Sequence, residues 1–225
     1  KPIQKNIFNM NTLIKNFNML IISKRRCGKS TLLLDILKQA NDKYKYEKIL
    51  IVSPEDNINK YYNGKLIDTE YYSKVQIEYE FNESIIGEVI HQQKLKINKK
   101  NKNKKDTSWK LLIILDNCLA SNGAWQKSEI LLNLFFNSRH FNITLITTTQ
   151  FPMGFIPELR MNFDYVCAFA DDFISHKKRL YDFYFNKIQT FDKFCDMHDS
   201  LTYGEVLIST NSFKNKETYF YKPSI

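Results

Sequence analysis

The sequence predicts an α/β fold with a mainly parallel sheet, helices on both faces and a C-terminal β-hairpin. Three observations carry that expectation. Short apolar runs alternate with amphipathic segments along most of the chain, which is the pattern of successive βαβ units. The runs are continuously apolar instead of alternating, as strands buried on both faces are. Polar residues with chemistry to offer (Ser23, Glu55, Asp116, Gln150 and Asp171) each stand at or just past the end of such a run, and α/β sheets gather ligands at the carboxyl ends of their strands.

Composition narrows the class. The 225 residues are 43% hydrophobic with only 6 Gly and 5 Pro, enough apolar surface for one substantial core, so a single domain over 1–225 is expected. No apolar run approaches the ~18 residues of a membrane span. A formal charge of +9 suits a polyanionic partner such as DNA or RNA. Cys27, Cys118, Cys167 and Cys195 form no CxxC pair and are expected as isolated thiols in a reducing compartment. The chain begins without Met or a signal-peptide pattern, so its native N-terminus is expected upstream.

In chain order, residues 1–17 suggest an edge strand. Residues 19–22 (MLII) form a strand that runs into Ser23-Lys24-Arg25-Arg26-Cys27-Gly28-Lys29-Ser30-Thr31. From Lys29 to Ala40 a helix is expected, with Leu32, Leu33, Ile36 and Leu37 on one face. A buried strand at 48–53 (KILIVS) precedes Pro54-Glu55-Asp56. Residues 58–79 are irregular and Tyr-rich, with a short strand at 75–79, and 82–96 read as a helix. The Lys-rich stretch 94–110 is expected as a solvated loop, or as a basic loop that touches nucleic-acid phosphate.

The run 109–115 (WKLLIIL) is the strongest strand signal and ends in Asp116-Asn117. A helix over 124–136, a strand over 142–148 closed by Thr149-Gln150, and a short helix over 156–161 follow. Residues 165–169 form a fifth strand, with Asp171-Asp172 behind it. Helices over 175–185 and 191–198 and a hairpin from 204–209 with 217–221 complete the chain. The core is expected over about 18–185, with an extension over 186–225.

The stretch 19–34 has the strand–loop–helix layout of a phosphate-binding P-loop. Its backbone N–H groups and the positive end of the next helix suit phosphate oxygens. Lys29 supplies a point charge for the β- and γ-phosphates, and Ser30 a hydroxyl for Mg²⁺. The pattern asks for Gly where Ser23 stands, which Ser tolerates if its φ stays negative. Asp116, at the end of an apolar strand, is the expected Walker B acid and would hold Mg²⁺ opposite Ser30.

The catalytic base stays open at this stage. Many such enzymes place an acid directly after the Walker B Asp; here Asn117 stands there, able to orient a water but not to take its proton. Glu55 would emerge at the same edge if its strand neighbours that of Asp116, and could serve as base. Gln150 ends a strand expected between those of the phosphate loop and Asp116, where it could sense the γ-phosphate. Arg139 and Arg160 are candidate arginine fingers from a neighbouring subunit.

In order and spacing, SKRRCGKST, LLIILDN, SRHFNITLITTTQ and IPELRMNFDYV resemble the poxvirus-type DNA-packaging ATPases of large DNA viruses and virophages, within the FtsK/HerA superfamily. The similarity covers roughly residues 18–185. It implies a three-layer P-loop NTPase of the ASCE/RecA-like type that uses ATP and Mg²⁺. It further implies nucleotide contacts from Lys29, Ser30 and Thr31, metal binding by Asp116, a sensor at Gln150 and family-matched positive charge at Arg139 and Arg160. The implied partners are double-stranded DNA, further copies of the chain in a hexameric or pentameric ring, and capsid or portal components, in the viral factory of the host cytoplasm or in the virion. Ser23 and Asn117 depart from the family pattern. A P-loop nucleotide or nucleoside kinase and a hydrolysis-impaired ATP-binding DNA adaptor are the alternative readings.

Overall fold

The computed structural model describes residues 4–62, 74–103, 109–119, 124–152, 154–211 and 217–224. Eight strands form one sheet in the order β3-β2-β4-β5-β1-β6-β7-β8: β1 Asn18–Ile22, β2 Lys48–Val52, β3 Val75–Glu78, β4 Leu111–Asp116, β5 Ile143–Thr149, β6 Tyr165–Phe169, β7 Val206–Thr210 and β8 Thr218–Tyr221. The strand that Gln150 follows thus lies between β1 and β4, as its sequence position predicts. The helices are α1 Lys29–Tyr44, α2 Asp56–Asn59, α3 Glu83–Asn103, α4 Glu129–Asn137, α5 Pro157–Arg160, α6 Ile174–Leu180 and α7 Phe191–Asp199.

The chain divides into two compact units. The first comprises Lys1–Leu13, Met19–Lys43 and Thr148–Ile225. In it β1 pairs in parallel with β6, Met19 opposite Tyr165 and Ile22 opposite Ala168. The hairpin of β7 and β8 continues this sheet antiparallel, with Cys167 opposite Ile208. All five residues of β1 and of β6 are buried, which explains their unbroken apolar character. Helix α1 buries every residue from Leu32 to Leu37, with Ala40 and Asn41, so the expected face of Leu32, Leu33, Ile36 and Leu37 is widened by Leu34 and Asp35. Thr190 caps α7 by accepting a hydrogen bond from Lys193 N, and Phe194 of that helix is fully buried beside Phe185.

The second unit comprises Ile14–Asn18 and Tyr44–Thr147. Here β2 pairs in parallel with both β3 and β4, Ile51 opposite Ile77 and Ile114. The six residues of β4 are all buried; fully burying one such Ile or Leu side chain is worth roughly 1.5–3 kcal/mol. Leu131, Leu134 and Phe135 of α4 are buried, and Trp125 packs against Phe135 with ring centroids 5.7 Å apart.

Three expectations change. Among its described residues the N-terminal segment contributes a bridge, Ile7 to Phe220, and a 3₁₀ turn at Met10–Thr12; Phe8, Met10 and Leu13 are buried without forming a strand. The basic stretch from Lys94 is helical as far as Asn103, because Lys is a good helix former and a started helix propagates without an apolar face; residues 104–108 lie outside the described residues. The helix expected over 124–136 is two pieces, a 3₁₀ turn Ala124–Lys127 and α4. Ser128 separates them because its hydroxyl accepts from Leu131 N and caps α4, which requires an extended backbone at that residue.

Candidate functional site

Residues 23–31, expected from sequence to bind phosphate, leave β1 and enter α1 within the first unit. Ser23 is buried and donates its N–H to Thr149 O at 3.0 Å, so the loop starts tied to the end of β5. The positive-φ conformations fall at Arg26 (φ 60°) and Gly28 (φ 101°), and Ser23 avoids that region, as the replacement of Gly by Ser requires. A Cβ at Gly28 would lie 3.1 Å from Gly204 Cα, so only glycine fits where the chain turns into α1. Arg25 and Arg26 are exposed, whereas Lys29, Ser30 and Thr31 are half-buried on the first turn of the helix. Cys27 Sγ donates to Lys24 O at 3.0 Å; burial pushes its thiol up, partly offset by the backbone of Lys29. A 16-residue helix starting at Lys29, behind a glycine turn with no room for a side chain, fits a triphosphate by the chemistry of its donors.

Lys24 is held by the residues that follow β6. Its ammonium lies 2.9 Å from Asp171 and 3.2 Å from Asp172 and stands 4.9 Å over the Phe173 ring. His176 Nδ1 lies 2.8 Å from the other oxygen of Asp171. Burial alone would raise the Asp171 pKa, but Lys24, Phe173 N–H and His176 together hold it below the usual carboxylate range.

The acidic residues assemble in the second unit, at the carboxyl ends of β2 and β4. Asp116, the last residue of β4, is 3% exposed. Its Oδ2 accepts from Tyr62 Oη at 2.8 Å and from Ser53 Oγ at 3.4 Å. Asn117, held at φ 50°, donates from Nδ2 to Glu55 Oε1 at 2.9 Å. The two residues weighed as alternatives from sequence are therefore partners. Burial, then the Asp116 carboxylate, raises the Tyr62 phenol well above its ordinary value, so it acts as a donor. Among the described residues no cluster of three or more His, Cys, Asp or Glu could hold a metal. The Asp116 carboxylate is an oxygen donor of the kind that suits Mg²⁺, which takes one or two protein ligands and completes its shell with water and phosphate.

Sequence reading missed Tyr62 and Ser53. Tyr62 sits in an aperiodic stretch, and only its richness in Tyr marks it. Ser53 ends an apolar run without any motif.

The candidate arginines stand elsewhere. Arg139 lies in the 3₁₀ turn Ser138–Phe141, exposed, just before Asn142, whose carbonyl accepts from Leu111 N at the start of β4. Asp116 is five residues further along that strand, about 17 Å at the rise of an extended chain, so Arg139 occupies the opposite edge. Lys94 and Lys96 of α3 lie at that same edge, over the rings of Phe141 and Trp109. Arg160 ends α5 near the amino end of β6, with its guanidinium 3.9 Å from the Phe183 ring centre; the phosphate loop follows the carboxyl end of the parallel strand β1. Gln150 directly follows β5 and is half-buried.

Comparison with known proteins gives a consistent picture. The family model described as Poxvirus A32 protein matches residues 5–176. An uncharacterised protein of Acanthamoeba polyphaga mimivirus is 30% identical over 184 residues, 79% of this chain and 60% of that protein. Another, from Frog virus 3 (isolate Goorha), is 28% identical over 163 residues, 72% of this chain and 47% of that protein. The chain thus spans about half of the length of these relatives. Among solved structures, the genome packaging NTPase B204 from Sulfolobus turreted icosahedral virus 2 in complex with ATP-gammaS superposes with a TM-score of 0.64 at 13% identity, covering 95% of this chain and 100% of that one. The cytoplasmic domain of the Thermomonospora curvata Type VII secretion ATPase EccC gives 0.61 at 14% identity, over 92% of this chain and 25% of that one. At such identities these two likenesses speak for the fold.

Proposed function

Because this chain belongs to the Poxvirus A32 protein family, we propose that it is an ATP-hydrolysing motor that packages the double-stranded DNA genome of a large DNA virus into its capsid. The observation that carries the hydrolytic reading is the Glu55–Asn117 hydrogen bond one residue beyond Asp116. A carboxylate held there by an amide is what a water-activating base needs, and it answers the absence of an acid at position 117. The fold shared with a genome packaging NTPase solved in complex with ATP-gammaS supports the same reading, as do relatives in large DNA viruses.

In this proposal the loop from Ser23 to Thr31 is the Walker A motif and binds the triphosphate of ATP. Lys29 meets the β- and γ-phosphates, and Ser30 and Asp116 hold Mg²⁺. The metal, when bound, neutralises charge on the phosphate oxygens. Glu55 takes the proton of the attacking water, and Asn117 fixes the orientation of Glu55. Gln150, on the strand between β1 and β4, senses the γ-phosphate. Arg139 and Arg160 remain the candidate arginine fingers, each acting on the site of a neighbouring copy in a hexameric or pentameric ring of the FtsK/HerA type. The basic edge with Lys94 and Lys96 faces DNA, capsid or portal components anchor the ring, and the motor works in the viral factory or the virion. No described helix is long and apolar enough to cross a membrane.

The test is phosphate release by the purified chain with and without duplex DNA. The motor gives Mg²⁺-dependent release that duplex DNA stimulates and Lys29→Ala abolishes with the circular-dichroism spectrum unchanged. ADP formation that ignores DNA and requires a small acceptor, with the phosphoryl group transferred to that acceptor and no free phosphate, means a kinase. Nucleotide binding without release means an adaptor. Either overturns the proposal.

A further inference from the structure

We propose that Tyr62 is a positioning residue for Asp116, its buried phenol fixing the orientation in which that carboxylate meets the metal of the bound nucleotide. The proposal rests on the nucleotide-binding reading above and adds to it a residue outside every motif that suggested it.

Nothing in the sequence around Tyr62 predicts burial, yet the residue is only 2% exposed. A buried phenol needs a hydrogen-bond partner. Among the polar groups of the second unit it meets the acid that the chemistry requires, donating to Asp116 Oδ2 at 2.8 Å. Ser53 Oγ donates to the same oxygen at 3.4 Å. Donors from two separate residues on one oxygen restrict how the carboxylate can turn, and bonds to a charged acceptor are the stronger kind.

The phenol is itself anchored from behind. Tyr62 N donates to Asp56 Oδ1 at 2.7 Å, and Asp56 is 1% exposed at the start of α2. Helix α2 stops at Lys60, which takes the left-handed conformation at φ 48° and donates its N–H to Asp56 O. That reversal brings Tyr62 back toward β4. The ten residues after β2 thus supply Ser53 and Tyr62 to Asp116, and Glu55 to Asn117. A purely structural residue at position 62 would do better as Phe, which buries no hydroxyl.

Tyr62→Phe keeps the ring and the backbone bond to Asp56 and removes only the donor. Binding of a fluorescent ATP analogue to the full chain, followed across a Mg²⁺ titration and separately in EDTA, reads the effect. The Mg²⁺ concentration for half-maximal binding should rise about tenfold, as expected for a lost bond to a charged group. Affinity in EDTA should match the parent chain. In hydrolysis, kcat should fall about tenfold while KM for ATP at saturating Mg²⁺ stays put. Ser53→Ala, which removes the longer bond, should shift the Mg²⁺ requirement in the same direction by about two- to threefold; it carries the test if the Phe variant folds poorly.

An unchanged or lower Mg²⁺ requirement in these variants overturns the proposal. So does equal weakening with and without the metal, the mark of a packing defect. Lys29→Ala separates this failure from that of the nucleotide reading. If Lys29→Ala loses analogue binding while Tyr62→Phe leaves the Mg²⁺ dependence alone, only the role of Tyr62 falls. If Lys29→Ala binds the analogue normally, the assigned nucleotide site falls and the role of Tyr62 with it.

Discussion

Asn117 Nδ2 donates to Glu55 Oε1 at 2.9 Å, joining the residue after β4 to the loop after β2 inside one compact unit. In the proposed motor the bond gives the two residues distinct tasks. Glu55→Gln removes the proton acceptor and should lower kcat by about 10²- to 10³-fold with little change in KM. Asn117→Ala frees Glu55 to rotate and should cost about tenfold in kcat. Asn117→Asp restores the acid usual at that position, yet sets a second carboxylate against Glu55, and like charges disfavour ionisation. Its rate should fall below that of the parent chain, as measured by steady-state phosphate release.

The pairing of Lys24 with Asp171 makes a prediction about pH. Asp171 titrates below its ordinary range, so its contribution is present above about pH 3.9 and is lost as pH falls through the lower folded value. Burial pulls the Lys24 pKa down, but Asp171 and Asp172 raise it overall, so its contribution is present below about pH 10.4 and lost as pH rises through the higher folded value. Between those limits the pair is intact. Asp171→Asn should therefore cost about 1 kcal/mol at pH 8, and less as pH is taken below about 3.9, in urea unfolding followed by circular dichroism.

His198 acts with the opposite sign to a salt-bridged histidine. It is fully buried on α7, its Nε2 3.0 Å from Phe169 O and its ring 5.3 Å from that of Phe194. Burial lowers its pKa, only partly offset by the Phe169 carbonyl. The unfolded chain then binds a proton that the folded chain refuses, so stability is full above about pH 6.5 and declines as pH falls below it. Urea midpoints measured from pH 7.5 to 5 should decline more steeply for the parent chain than for His198→Gln, which keeps an N–H for Phe169 O.

Most of the fold was legible because the strands are buried on both faces, and runs such as 111–115 need no partner to be recognised. The strand, turn and helix of residues 19–34 were legible for a related reason: Gly28 is dictated by local backbone geometry. Tyr62 and Ser53 were not, because their task is set by Asp116, 54 and 63 residues away, and no periodicity records such a pairing. Lys24 was legible as a loop residue but not as the partner of Asp171, for the same reason. The helical run past Lys96 escaped because it lacks an apolar stripe, the only signal that separates a solvated helix from a solvated loop.

In the proposed motor Lys29 and Asp116 serve one nucleotide. A double-mutant cycle of Lys29→Ala and Asp116→Asn on Mg²⁺-dependent ATP hydrolysis addresses this most directly. Residues that act as one catalytic unit are non-additive, so each single variant should be as inactive as the double, at least about 10²-fold below the parent chain. Hydrolysis at the parent rate in either single variant, or losses that simply multiply in the double, would contradict the account.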